Sequence, residues 1–138
     1  LHDAIRDDQF VLHYQPQYVV ESGELVGVEA LVRWDHPQLG LLGSGAFVPV
    51  LEESTLIFDA GHWIMREAVQ AAGRFAATMP SVKSVAINVS PKQFRDPRLV
   101  SVLRQAIKRW YIDPRRIVLE ITESALIENV DDSQYILT

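Results

Sequence analysis

The chain has 138 residues, 48% of them hydrophobic and 22% charged, which suits one compact unit with a real core and excludes a disordered chain. A formal net charge of −5 argues against DNA or RNA as a partner, since their binders carry a basic footprint, but leaves room for a small phosphate ligand held by one or two local cations. With no cysteine, disulfides and thiolate metal sites are excluded.

Leu1 to Gln9 predicts a short helix, and Phe10 to Val20 a strand with Val11, His13 and Gln15 on one face and Leu12 and Tyr14 on the other. Glu21 to Glu24 reads as a turn, so Leu25 to Trp34 can return as the second strand of a hairpin. Asp35 to Ala46, rich in Gly and holding Pro37, reads as loop, with a short helix after it from Pro49. A long helix is predicted from about Ala60 to Met79, where Ile64, Ala68, Ala71, Ala72, Phe75 and Met79 repeat at helical spacing, with Asp59 as N-cap and Pro80 as stop. Val82 to Ser90 reads as a strand. Asp96-Pro97 then opens a helix whose stripe is Leu99, Val102, Leu103, Ala106, Ile107 and Trp110. Asp113-Pro114 is a turn, Arg116 to Glu123 a strand, and Asn129 or Asp131 the start of a last helix.

Helix candidates at Leu1 and at Thr138 suggest a chain cut at both ends from something larger. No segment is apolar for long enough to cross a bilayer, and no signal peptide is legible. Strands alternating with helices of this length imply parallel pairing through right-handed crossovers, hence an α/β fold, either a barrel or an open doubly wound sheet.

Three of the predicted strands carry an oxygen donor near their C-terminal ends: Glu29 in "VGVEALVRW", Asn88 in "VAINVS" and Glu120 in "IVLEITE". In both α/β architectures, ligand and catalytic groups collect at those ends. Two carboxylates and one amide oxygen converging there would suit Mg²⁺, Mn²⁺ or Ca²⁺. Glu29, Leu31 and Arg33 share one face of their strand, yet Glu29 and Arg33 lie roughly 13 Å apart along it, too far for an ion pair. Glu29 on a metal and Arg33 on a phosphate of the same ligand would satisfy both. Glu120 and Glu123 have opposite parity and so should have different tasks. A single strand glutamate is more often a salt-bridged edge residue than a ligand, and Asn88 could be a strand-end residue bonding nearby backbone. The repetition over three strands favours the ligand reading, and spacing alone leaves both open. The four histidines show no H-E-x-x-H pair, there is no G-x-S-x-G elbow, and no G-x-G-x-x-G joins a strand to a helix.

"VEALVRWDHP" resembles the signature of the EAL domain, the bacterial family of cyclic di-GMP phosphodiesterases. "LHYQPQ" resembles that family's first-strand motif, "FVPVLEESTLI" the segment after the second strand, "INVSP" the Asn-bearing strand and "LEITES" the strand with two glutamates, in family order and spacing. The resemblance covers residues 1–138 as the N-terminal portion of one domain, and implies a partial TIM-type barrel, first strand antiparallel, ending after about the fourth strand. It implies metal-assisted hydrolysis of cyclic di-GMP to linear pGpG in bacterial second-messenger signalling. Glu29, Asn88 and Glu120 would be ligands of Mg²⁺ or Mn²⁺ and Glu123 would brace a catalytic loop. Arg33 would contact a phosphate, and Gln15 and Leu31 would line the nucleotide site. The family also suggests a cytoplasmic domain in a parent, membrane-tethered or not, fused to GGDEF, PAS or receiver domains.

The departures matter as much. The later half of the family pattern, with its Asp-Asp-Phe-Gly ligands, following Lys and last Glu, is absent. Asp131-Asp132 is not that pair, because Ser133 stands where the motif needs Phe. Ser44 replaces a Pro common in the family, and "LEEST" departs from "AEETG", neither at a proposed ligand. The chain alone is therefore expected to be inactive and, with an open barrel edge, to self-associate. The alternative from another class is a non-catalytic cyclic di-GMP receptor or protein-interaction module of the same fold.

Overall fold

The computed structural model describes Ala4 and residues 7–121. The fold is mixed α/β. Strands β1 (Phe10–Tyr18), β2 (Leu25–His36), β4 (Ser84–Val89) and β5 (Ile117–Ile121) form a sheet in the order β1-β2-β4-β5, and a short β3 (Gly40–Gly43) pairs with the far end of β2. β1 runs antiparallel to β2, while β2, β4 and β5 are parallel. Helices α1 (Ser44–Glu52) and α2 (Leu56–Thr78) cross from β3 to β4. A short α3 (Pro91–Phe94), then α4 (Leu99–Arg109) and a 3₁₀ turn (Pro114–Arg116), cross from β4 to β5. Among the described residues no helix is long and apolar enough to cross a membrane.

Alternation along the strands sends one face toward the helices. Val28 and Ala30 of β2 and Val85, Ile87 and Val89 of β4 pack with Met65, Ala68 and Ala72 of α2 and with Phe94 and Leu99, while Leu12, Tyr14, Ile117 and Leu119 flank them. Ile87, at 0% exposure, sits in the middle of this layer, where full burial of such a side chain stabilises by roughly 1.5–3 kcal/mol. A second cluster, Phe10, Phe47, Leu51, Ile57 and Ala60 with Trp34 and Trp63 against it, seals the sheet end where β3 and α1 lie. Small residues at Ala68, Ala71 and Ala72 let α2 approach β4 closely.

Several boundaries differ from the sequence reading. The loop predicted from Asp35 to Ala46 contains β3 and the start of α1, because the Nδ1 atom of His36 accepts the backbone N–H groups of Gln38 and Leu39 and turns the chain back onto β2. Four residues with two glycines carry too little periodicity to announce such a strand. α2 begins a turn earlier than expected, with Thr55 at its N-cap position and Asp59 inside its first turn. Asp96 is not the cap of α4; Arg98 holds that position. Asp96 Oδ1 accepts the Arg98 N–H at 3.0 Å, and Oδ2 lies 2.7 Å from His62 Nε2. The helix candidates at either end of the chain fall outside the described residues, save for Ala4.

The α3 turn, unanticipated, is a hub. Ser90 and Gln93 form a capping box, Gln93 Oε1 accepting from Ser90 N at 2.9 Å and Ser90 Oγ from Gln93 N at 3.3 Å. The same Gln93 amide donates to the Ile57 carbonyl, and Gly61 makes room for it, since a Cβ there would stand 2.7 Å from Gln93 Nε2. Lys92 Nζ donates to the carbonyls of Glu52 and Ser54 at 2.9 and 3.3 Å. The turn that follows the Asn88 strand is thereby tied to the end of α1 and the start of α2.

Candidate active site

The face of the sheet turned away from the helices carries the polar residues. In register, Gln15 stands opposite Glu29, His13 opposite Leu31 and Val11 opposite Arg33 on β1 and β2. Glu29 neighbours Ala86 on β4, and Asn88 neighbours Glu120 on β5. The strand parity that separates Glu29 from Val28 and Asn88 from Ile87 is therefore also the separation between site and core.

Asn88 Nδ2 donates to Glu29 Oε1 at 3.0 Å. Glu29 and Glu120 flank β4, and Ala86 beside Glu29 offers only a methyl group between them. Burial pushes the Glu120 pKa up from the ordinary carboxylate range; the negative charge of Glu29 and the hydrogen bond to it push the same way, while a hydrogen bond from the Gln17 side chain draws it down. A carboxyl group that neighbouring charge and burial make hold its proton longer is one that a hard divalent cation would relieve, since the cation replaces that proton. The Asn88 amide, having spent one hydrogen on Glu29, keeps its oxygen for such an ion. The donor chemistry fits Mg²⁺ or Mn²⁺. Among the described residues no group of three or more His, Asp or Glu side chains converges, so the set is two carboxylates and one amide.

Arg33 lies within β2, beside Val11 and Gly43. Among the described residues its guanidinium donates to the Val32 carbonyl at 3.1 Å, which leaves most of its five donors for a ligand. Gln15 and Asn88 are exposed and Leu31 and Glu120 half-buried. Glu123 lies outside the described residues.

A cavity of about 570 Å³ opens at the C-terminal ends of β2, β4 and β5, between the strand tops and α1 and α2. Its size is that of a small-molecule pocket. Leu31, Asn88 and Glu120 line it, together with Ser44 and Glu52 of α1 and Ser90, but Gln15, Glu29 and Arg33 do not. It is thus a largely apolar annex that meets the carboxylate cluster along one side.

Three supporting groups escaped the sequence reading. Gln17 is among the groups that act on the Glu120 pKa, drawing it down. Lys92 fastens α1, and the buried His62–Asp96 pair fastens α2. Of these, only the Ser90-x-x-Gln93 capping pattern beside Lys92 had a local signature in the sequence.

The family model described as EAL domain matches residues 1–138. The chain is 42% identical over 137 residues to an uncharacterized protein of Synechocystis, sll1895, covering 99% of this chain and 20% of that protein. It is 39% identical over 140 residues to the bifunctional diguanylate cyclase/cyclic di-GMP phosphodiesterase MucR of Pseudomonas aeruginosa, again 99% of this chain and 20% of the relative. The solved MucR phosphodiesterase in complex with c-di-GMP superposes with a TM-score of 0.91 at 38% identity, over 99% of this chain and 55% of that one. The chain therefore spans about a fifth of the length of the Synechocystis and MucR proteins and about half of the solved MucR chain.

Proposed function

The chain belongs to the EAL domain family, and from that membership we propose that it is the N-terminal portion of one EAL domain whose parent hydrolyses cyclic di-GMP to linear pGpG by metal-assisted attack of water. The observation that carries this reading is the meeting of Glu29, Asn88 and Glu120 on one sheet face, with Asn88 bonded to Glu29 and Glu120 pressed against it.

In this proposal Glu29, Glu120 and the Asn88 amide oxygen hold Mg²⁺ or Mn²⁺. The ion, when bound, supplies an activated water and neutralises charge on the phosphate oxygens. Every other contribution comes from the chain. Asn88 fixes the Glu29 carboxylate through its Nδ2 hydrogen. Arg33 offers planar, paired donors to a phosphate. Gln15, directly opposite Glu29, and Leu31 line the nucleotide site, one with an amide and one with an apolar wall. Glu123, outside the described residues, takes the bracing role that the family resemblance implies. The domain is cytoplasmic, and its parent carries further signalling domains of the GGDEF, PAS or receiver kind.

Two carboxylates and an amide are an incomplete shell for an octahedral ion. The 138-residue chain by itself is accordingly inactive in this reading, and the remaining donors come from the rest of the parent domain. Alone, the chain also leaves β5 with β4 as its only neighbour among the described residues, and an unpaired edge of that kind recruits a second copy.

Incubating the full-length protein with Mn²⁺ and cyclic di-GMP and separating the products by chromatography tests the reading. Linear pGpG is expected. Cyclic di-GMP that binds and is recovered intact would replace the enzyme with the receptor alternative.

A further inference from the structure

Tyr111 is 95% exposed and holds a left-handed backbone, with a φ of 53°. It follows Trp110, the C-cap of α4, and Ile112 N–H bonds the Ile107 carbonyl at 3.0 Å across it. That closure is the helix-ending turn whose left-handed residue is usually Gly; most other L-residues take the conformation at a cost. Among the described residues the Tyr111 ring gains no packing in return. Lys108 and Arg109 need no further account, since cations in the last turn offset the helix dipole. Tyr111 does.

Its surroundings supply one. The end of α4 lies against the end of α2, where Ile112 Cδ1 would stand 2.9 Å from a Cβ on Gly73. Arg116 Nη1 donates to the Val82 carbonyl at 3.2 Å, and Lys83 N–H to the Val26 carbonyl at 2.7 Å. These contacts gather the ends of both helices where β2, β4 and β5 begin, at the opposite end of the sheet from Asn88 and the cavity. Met79 and Trp110 are 44% and 41% exposed there, and Arg74, Lys83, Lys108, Arg109 and Arg115 are exposed around them. Asp113 is the one carboxylate in residues 79–83 and 110–116, and it is tied to Arg115 at 2.9 Å. The β1–β2 turn, with Glu21 and Glu24, bounds this surface on one side. Charge is segregated on a larger scale too. Lys92 to Arg116 holds eight of the 13 basic residues and two of the 18 acidic ones, in a chain of net charge −5.

We propose that this end of the domain docks on an anionic lipid surface, with Met79, Trp110 and Tyr111 entering the headgroup layer and the basic side chains meeting lipid phosphates. Trp and Tyr favour that layer because each joins an apolar ring to a polar tip, and neighbouring Lys and Arg are drawn to anionic headgroups. The shape favours lipid over a protein partner. The apolar groups project from separate helix ends, and a fluid interface admits such tips without a matching hollow for each. Docked in this way, the domain turns Asn88 and the cavity toward solution. The inference stands apart from the metal-site reading.

The test uses the full-length protein and hydroxyl-radical footprinting, which reads each side chain locally. The probe is vesicles of about 30% phosphatidylglycerol in phosphatidylcholine. At low salt they should slow oxidation of Tyr111 and Met79 severalfold, while Leu39, 69% exposed at the far end of β2, keeps its rate. Salt at about 1 M, where the Debye length is about 3 Å, should abolish the protection. Lys83→Gln combined with Lys108→Gln removes two charges and should raise the lipid concentration for half-protection by about 30-fold. Tyr111→Gly suits the left-handed backbone, so the melting temperature should hold or rise while Met79 protection weakens. Protection of Tyr111 before vesicles are added would mean that another part of the protein covers this end, and would overturn the proposal. So would no protection by the mixed vesicles, or equal protection by pure phosphatidylcholine.

Discussion

Asn88 and Glu29 stand 59 residues apart in the chain and are joined by a 3.0 Å hydrogen bond from the Asn88 amide to the Glu29 carboxylate. The bond joins neighbouring parallel strands at their exposed face, outside the packed layer. Its loss should therefore affect binding more than folding. Asn88→Ala is expected to leave the domain's stability within about 0.5 kcal/mol, and to lower Mn²⁺ affinity of the full-length protein by about 10- to 100-fold. Chemical denaturation alongside a Mn²⁺ titration separates the two; a large loss of stability with intact Mn²⁺ binding would contradict the assignment.

Glu120 sets an opposite sign. Burial and Glu29 hold its pKa above the ordinary range, so its ionised form is disfavoured in the fold. The metal-free domain should then lose stability as pH rises from about 4.3, the unfolded glutamate value, through the raised Glu120 value. Glu120→Gln should flatten that limb and raise the melting temperature of the metal-free domain slightly at neutral pH, solvent screening keeping the gain small, while abolishing turnover. Melting curves from pH 4 to 8 with and without Mg²⁺ measure this, and a destabilised Glu120→Gln domain would refute it.

Asp96 behaves in the reverse way. Burial alone would push its pKa up, but hydrogen bonds from the Arg98 backbone, the His62 ring and the Arg98 side chain outweigh it and hold the carboxyl below its usual value. Its contribution is present above the unfolded value of about 3.9 and is lost as pH falls through the depressed folded value. Asp96→Asn should cost about 2 kcal/mol near pH 7 and shrink the acid-dependent loss between about pH 4 and pH 2. Denaturant midpoints across that window give the comparison with wild type.

Expressed alone, the 138-residue chain should sediment as a dimer or larger species at micromolar concentration. Val118, on the face opposite the helices and 42% exposed, adds apolar surface beside the edge of β5, which no strand among the described residues covers. A stable monomer in analytical ultracentrifugation would count against edge pairing.

Much of this architecture was legible because period and parity are local properties. The alternation that put Glu29, Leu31 and Arg33 on one face, and the opposed parity of Val28 and Ala30, survive in the structure as the face turned from the helices and the core. The resemblance of "VEALVRW", "INVS" and "LEITE" to the EAL motifs named the family that the whole-chain match shows. What stayed hidden depends on residues distant in sequence. No local pattern announces that His62 meets Asp96 across 34 positions. β3 was hidden for another reason: its four residues owe their conformation to β2 and to the His36 ring.

The reversed direction of β1 also bears on the order in which the molecule assembles. β1 and β2 are joined by a short turn in which Val19 N–H bonds the Glu24 carbonyl, and such hairpins close within roughly 1–10 μs. Pairing β2 with β4 must instead wait for both α1 and α2, and β5 for α4, so these contacts carry the long loop closures that slow folding. A chain emerging N-terminus first would hold Glu29 on a preformed ribbon and acquire Asn88 and then Glu120 in turn. Pulsed hydrogen exchange during refolding should accordingly protect β1 and β2 amides before those of β5. The Glu29–Asn88–Glu120 cluster would then be among the last features to form, the electrostatic pressure of Glu29 on Glu120 arising only once the surrounding strands are in place to bear it.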